Sequence, residues 1–294
     1  MTSGRCSVLF ARLASNIGRA QAAQELKWLR QHASGGHAPL ENLLAKRVAG
    51  EPLQYILGSQ PFGDLDIAVR PPVLIPRPET EDWTIRLAEL LATKLRNRPS
   101  PATLLDLGTG SGCIPLLLCH LLPQGTLRAH GVDISPDAVA LARENATACR
   151  IPAVADGPVN TFSASLADFA SAHFRADIAH ALPCDVLTSN PPYISTSEPL
   201  PADVKDWEDS RALFAGESGL QCYEAIGRLL AGPGFLAPDG LVALEIGHTQ
   251  AKPVRAILAS AGLREIEVWR DPWGKDRTVV ARGAGGGGGG SGGA

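Results

Sequence analysis

The chain lacks the features that would mark a metal centre, a disulfide scaffold or a nucleic-acid clamp. Its six cysteines (Cys6, Cys113, Cys119, Cys149, Cys184, Cys222) include no Cys-x-x-Cys pair. They read as reduced, mostly buried thiols of an intracellular protein. None of the seven histidines stands in His-Glu-x-x-His or comparable spacing, so no metal is expected. Aromatic residues make up only 5%, too few for a row of base-stacking platforms. A formal net charge of −3 argues against a broad basic face for gripping duplex DNA. No apolar run approaches the roughly 20 residues that span a bilayer, and no membrane partner is expected.

What is present suffices for one large domain and a small one: 294 residues, 45% of them hydrophobic. Residues 1–24 hold three arginines (Arg5, Arg12, Arg19) and no acid. That composition suits an organelle transit peptide. It equally suits the first helix of the fold, since Leu9, Leu13, Ile17 and Ala20 share a helical face. A second helical stretch carries Leu40, Leu43, Leu44 and Val48 and is closed by Gly50. With Ala22, Leu26 and Leu29 these predict a helical N-terminal domain over 1–60, suited to gripping a partner or to capping the fold.

Alternating Leu65, Ile67 and Val69 predict a hairpin linker over 61–78. Pro76 and Pro78 then stiffen a loop leading into a helix near Thr80, with Glu81 and Asp82 in its first turn. From residue 103 strands alternate with helices. Thr103–Leu107 is a buried strand, followed by the turn Gly108-Thr109-Gly110-Ser111-Gly112. Glycines at the carboxyl end of a first strand let a ligand approach the backbone closely. The spacing is not the Gly-x-Gly-x-x-Gly of a dinucleotide site. A second strand ends in Asp133, whose carboxylate can accept both hydroxyls of a ribose or cap the next helix. Further strands are expected near 159–164, 185–189, 241–246, 266–270 and 278–281. The last two read as antiparallel edge strands closing a mostly parallel, seven-stranded, doubly wound α/β sheet over 79–282. Residues 283–294, almost all Gly, read as a flexible tail.

One loop carries the chemistry. Cys184–Leu187 reads as a buried strand that Pro191 and Pro192 bring to an end. Proline offers a carbonyl but no N–H, so Asn190-Pro191-Pro192-Tyr193 is rich in acceptors and poor in donors. The Asn190 side-chain oxygen and the Pro191 carbonyl can hold a planar –NH2 group, with Tyr193 on its face. An ordinary Asn-Pro turn is the plain alternative.

The glycine turn, Asp133 and Asn190–Tyr193 together resemble the S-adenosylmethionine-dependent amino-methyltransferases. Gly50-Glu51-Pro52-Leu53-Gln54-Tyr55-Ile56-Leu57-Gly58, Val73–Glu81, Ser218-Gly219-Leu220 and Arg270-Asp271-x-x-Gly274-x-Asp276-Arg277 narrow this to a resemblance to the release-factor glutamine methyltransferases. It covers about residues 20 to 282. It implies the methyltransferase sheet with a hairpin-joined helical domain, and S-adenosylmethionine as cofactor. The implied reaction is methylation of the glutamine amide in the Gly-Gly-Gln loop of peptide chain release factors.

The resemblance further implies that Gly108, Thr109, Gly110, Ser111, Gly112, Asp133 and Asn190 bind the cofactor. Asn190, Pro191, Pro192 and Tyr193 would hold the substrate, and Asn190, Pro191 and Tyr193 would serve catalysis. The family's acidic residue after the third strand is missing, and Ser163-Ala164-Ser165-Leu166 stands there. Ser165 with Leu166 is therefore expected at the adenine, or Asp168 by a shift. The chain is expected to act as a monomer without direct nucleic-acid contact, in the mitochondrial matrix or, alternatively, the bacterial cytoplasm. The competing functions are a nucleic-acid exocyclic-amine methyltransferase, which would flip its base, and a non-catalytic binding protein that keeps the fold.

Overall fold

Gly18, with φ of 86°, breaks the first helical stretch in two. The halves are α1 (Gly4–Ile17) and α2 (Arg19–Ser34). A computed structural model describes residues 4–36, 38–96, 98–199 and 206–285. Most of the expected glycine tail, from 286 onward, lies outside the described residues.

Helices α1 and α2 pack with α3 (Leu40–Val48) and α4 (Leu53–Leu57) around Leu13, Ala22, Leu29, Leu43, Leu44 and Ile56. Leu9 and Ile17 lie against that core. The apolar stripe of α1 is thus spent inside the bundle, where Leu13 is 1% exposed. Strands β1 (Ser59–Phe62) and β2 (Leu65–Ala68) follow as an antiparallel hairpin. Phe62, Leu65 and Ile67 join the core of the large sheet.

Helix α5 (Pro78–Leu95) begins two residues before Thr80, because Pro78 fits the first helical position and Glu79 and Glu81 suit its positive end. The sheet is built from β3 (Ala102–Leu107), β4 (Leu127–Asp133), β5 (Thr161–Leu166), β6 (Cys184–Ser189), β7 (Leu236–Glu245), β8 (Arg264–Arg270) and β9 (Asp276–Arg282). Their order is β5-β4-β3-β6-β7-β9-β8. Strands β3 to β7 run parallel, and β9 is antiparallel to both β7 and β8.

The expectation of two final edge strands is corrected here. Strand β9 inserts between β7 and β8, so only β8 is an edge on that side. The burial explains it: Thr278 to Ala281 are all buried, as an interior strand requires, whereas β8 buries only Trp269.

Helices α6 (Cys113–Leu121), α7 (Pro136–Ala148), α8 (Phe174–Asp177), α9 (Ser210–Leu213), α10 (Gln221–Ala231) and α11 (Ala251–Ser260) complete the chain. Helices α5, α6 and α7 cover one face, packing on Leu104, Ala129, Phe162 and Val186. Helices α10 and α11 cover the other, packing on Leu105, Leu187, Val242 and Leu244. The strand order reverses between β3 and β6, and a crevice opens there beyond their carboxyl ends, where doubly wound sheets bind ligands. Among the described residues no helix is long and apolar enough to cross a membrane.

Candidate active site

The glycine turn after β3 forms one wall of that crevice. Gly108 and Gly110 take left-handed backbone, with φ of 68° and 55°. At Gly110 this aims the backbone N–H at Asp133 Oδ2, 2.9 Å away, while Ser135 N–H donates to Asp133 Oδ1 at 2.8 Å. Each carboxylate oxygen keeps a free lone pair after those bonds, enough for a pair of vicinal hydroxyls. Burial pushes the Asp133 carboxyl above its usual range, and the two backbone donors oppose that. The cap of α7 is Ser135, which accepts from Ala138 N–H at 3.4 Å. The capping role considered for Asp133 therefore falls to its neighbour.

Strand β5 ends at Leu166, and the chain then folds across the mouth of the crevice. Ala167 N–H donates to the Asp133 carbonyl at 3.0 Å, and Asp168 Oδ1 accepts from Ala170 N–H at 2.8 Å. This turn brings Asp168, Phe169 and Ala170 to the crevice wall. Ser165 and Leu166 are not part of it: the Ser165 hydroxyl is bonded to His130 Nε2 at 2.9 Å, and Leu166 is 59% exposed. Of the two adenine-side expectations, the geometry brings Asp168 to the ligand space and leaves Ser165 outside it.

The acceptor loop leaves β6 on the opposite wall. Asn190 Nδ2 donates to Thr80 Oγ1 at 3.2 Å. Thr80 Oγ1 in turn donates to Glu245 Oε2 at 2.6 Å, and Trp83 Nε1 donates to the same oxygen at 2.8 Å. Asn190 Oδ1 and the Pro191 carbonyl take no hydrogen bond from the described residues. Burial lifts the Tyr193 hydroxyl to about 12, so it stays protonated at neutral pH.

The loop is held from behind. Gln250 Nε2 donates to the Tyr193 carbonyl at 2.9 Å and to the Gly219 carbonyl at 3.2 Å. Gly219 must be glycine, since a Cβ there would come within 2.5 Å of the Tyr193 carbonyl oxygen. Downstream, Ile194 N–H donates to the Leu213 carbonyl at 3.0 Å, and Ala215 N–H to the Ile194 carbonyl at 2.9 Å. Arg277 joins Asp271 at 3.2 Å and Glu79 at 3.9 Å, tying the last hairpin to the start of α5.

The resulting cleft encloses about 280 Å³. Gly108, Gly110, Asp133, Asn190 and Pro192 line it, with Val73, Leu74, Ile134 and Phe169 as apolar surface and Asp168, Asp209 and Arg211 as charged groups. Thr109 and Ser111 are buried at 3% and 2% exposure, and Gly112 leads into α6, so these three support the turn from outside the cleft wall. Pro191 and Tyr193, expected beside the substrate, are not among the residues that line the cleft. An apolar slot with a carboxylate at one strand end and close backbone approach at the glycine turn fits S-adenosylmethionine. Among the described residues no group of acids, histidines and cysteines could hold a metal ion.

Sequence reasoning missed Thr80, Trp83, Glu245 and Gln250 as parts of this site. Glu245 left a signal: it is a lone acid in the otherwise apolar run Leu241-Val242-Ala243-Leu244-Glu245-Ile246.

Comparison with known proteins adds an independent line. Residues 86–200 match the family model "Methyltransferase small domain". The release factor glutamine methyltransferase of Geobacter sulfurreducens is 37% identical over 248 residues, 83% of this chain and 78% of that protein. The protein of the same name from Vibrio cholerae is 38% identical over 247 residues, with 83% and 78% covered. A solved structure, the release-factor-specific protein-(glutamine-N5) methyltransferase of Alicyclobacillus acidocaldarius, is 28% identical. It aligns over 74% of this chain and 99% of its own, with a TM-score of 0.41.

Proposed function

Because the chain belongs to the release factor glutamine methyltransferase family, we propose that it methylates the side-chain amide nitrogen of the glutamine in the Gly-Gly-Gln loop of a peptide chain release factor. S-adenosylmethionine is the methyl donor, and it supplies a sulfonium methyl reactive enough that no general base is needed to form the new bond. The observation that carries the reading is the orientation of Asn190. Thr80 holds its –NH2 side at 3.2 Å, which leaves Oδ1 open at the wall of the cleft that Gly108, Gly110 and Asp133 also line.

The chain's own task is positioning. An amide nitrogen is a poor nucleophile because its lone pair is delocalised into the carbonyl. Asn190 Oδ1 and the Pro191 carbonyl accept its two hydrogens and turn the lone pair toward the methyl group, with Tyr193 against the amide face. Holding two reactants for in-line attack can supply about 7–11 kcal/mol. Acceptors that strengthen as the nitrogen becomes positive add stabilisation confined to the transition state. The proton then leaves to water. Gly108 and Gly110 would pass the methionine part and Asp133 would hold the ribose, while Asp168 would accept from the adenine amine.

We further propose that the chain acts as a monomer, with the helical bundle of residues 4–57 gripping the release factor and no nucleic acid in the complex. The relatives cited are bacterial, which suits the cytoplasmic alternative. A mitochondrial address rests on the acid-free segment 1–24 together with Pro61-Phe62-Gly63 and Glu81-Asp82-Trp83, and the burial of Leu13 in the bundle supports reading Gly4–Ile17 as a helix of the fold.

The test is incubation with methyl-labelled S-adenosylmethionine, a release factor, DNA and RNA in parallel. Label is expected on the release factor alone. N190A is expected to keep its cofactor affinity and to lose about 100- to 1000-fold in methyl transfer, the range seen when one preorganised polar group is removed. Label on nucleic acid, or near-normal turnover by N190A, would overturn the reading.

A further inference from the structure

Asn190 could present its amide to the cleft in either of two orientations, with oxygen or nitrogen outward, and only the first can bind a substrate –NH2. The choice is made outside the loop. Thr80 has one hydroxyl proton, and Glu245 Oε2 takes it at 2.6 Å. Toward Asn190 the Thr80 oxygen can therefore only accept, and it does so from Nδ2 at 3.2 Å. Glu245 is fixed in turn, because Trp83 Nε1 donates to that same oxygen at 2.8 Å. Thr80 and Glu245 are 2% and 1% exposed, so water does not compete for these bonds.

We infer that Thr80 and Glu245 are positioning residues for the methyl transfer, an acid–hydroxyl–amide relay that keeps Asn190 Oδ1 facing the substrate nitrogen. A buried carboxylate is a costly device for this. Its Oε2 already accepts the Trp83 indole N–H, which fixes that oxygen as the acceptor for the Thr80 hydroxyl as well. With an amide or a second hydroxyl in its place, the proton order along the chain could reverse and Asn190 could turn its nitrogen outward. The relay also explains why the stiff segment around Pro76 and Pro78 must place the start of α5 against the end of β7: Thr80 and Trp83 reach the carboxylate from one helical turn.

The inference rests on the proposed reaction, and the experiment separates the two. Wild type, T80V, T80S, N190A and the double variant T80V/N190A are assayed with release factor and labelled S-adenosylmethionine, alongside calorimetry of cofactor binding and thermal melts. Valine keeps the shape of Thr80 and removes the hydroxyl. T80V is expected to lower kcat by about 100-fold, the scale of a misplaced reacting group. Its cofactor affinity and its KM for the release factor should stay within about threefold of wild type. T80S is expected to restore most of the rate. In the N190A background T80V should cost nothing further, since residues acting as one unit are not additive.

If wild type labels no release factor, the reaction itself is wrong. If wild type labels it and T80V is as fast, or if T80V slows N190A as much as it slows wild type, the relay is wrong. A rate loss in T80S equal to that in T80V would also overturn it, because the hydroxyl would then not be the operative group.

Discussion

Asp106 allows a stability prediction with its size set by the structure. It lies in β3 just before the glycine turn and is 0% exposed. One oxygen accepts from Thr188 Oγ1 at 2.7 Å, while Oδ2 has no hydrogen-bond partner among the described residues. Burial pushes the carboxyl from its ordinary 3.8 up to about 7, against the hydroxyl of Thr188, and the charge of Asp133 adds to the rise. The folded chain therefore holds this proton to about pH 7 and the unfolded chain only to 3.8.

Between those limits the folded state binds more protons, so the free energy of unfolding falls as pH rises through the window. At 1.36 kcal/mol per pH unit the full effect is about 4 kcal/mol. It is absent below about pH 4 and complete above about pH 7. The variant D106N keeps the acceptor for Thr188 and never ionises. In urea titrations of the cofactor-free protein from pH 4 to pH 8.5, D106N should match wild type at the acid end. It should then gain on it progressively and hold a constant lead above about pH 7. A lead that changes by less than about 1 kcal/mol between pH 5 and pH 8 would refute the assignment of a buried, late-titrating carboxyl.

Three further outcomes are expected. D133A should weaken S-adenosylmethionine binding by about 10- to 150-fold, the worth of hydrogen bonds to a charged group, with little change in release-factor KM at saturating cofactor. Unchanged affinity by calorimetry would remove Asp133 from the ribose. D168A should cost about tenfold in cofactor affinity by loss of one polar contact, and a larger loss from S165A than from D168A would return the adenine contact to the end of β5. Q250L removes the clamp on the Tyr193 and Gly219 carbonyls and should raise release-factor KM while sparing cofactor affinity. A weakened cofactor affinity instead would show that the clamp serves the other wall.

What the sequence revealed, and what it hid, follows from where each signal is stored. The strands and the glycine turn were legible because burial on both faces writes a continuous apolar run, and because left-handed backbone at Gly108 and Gly110 demands glycine. The placement of β9 between β7 and β8 was written less plainly. Both final segments read as strands, and the cue to their order was the unbroken Val279-Val280-Ala281, which an edge strand would have interrupted with polar residues. On the adenine side the sequence left Ser165 and Asp168 both open. Strand β5 runs on to Leu166, so the residue that reaches the cleft sits beyond the strand end that composition suggested.

The relay behind Asn190 is a different case. Its members lie 110 and 165 residues apart in pairs, and no local pattern joins them. Yet one inference was available without the fold. A carboxylate inside a run as apolar as Leu241 to Ile246 persists only where donors meet it. Those donors must come from an element packed across the end of the strand. Thr80 and Trp83, three residues apart on the helix that follows the proline-stiffened loop, present a hydroxyl and an indole N–H on one face. The buried acid thus calls for partners of that kind, and one of them, Thr80, lies within the Val73–Glu81 stretch that carries the family resemblance.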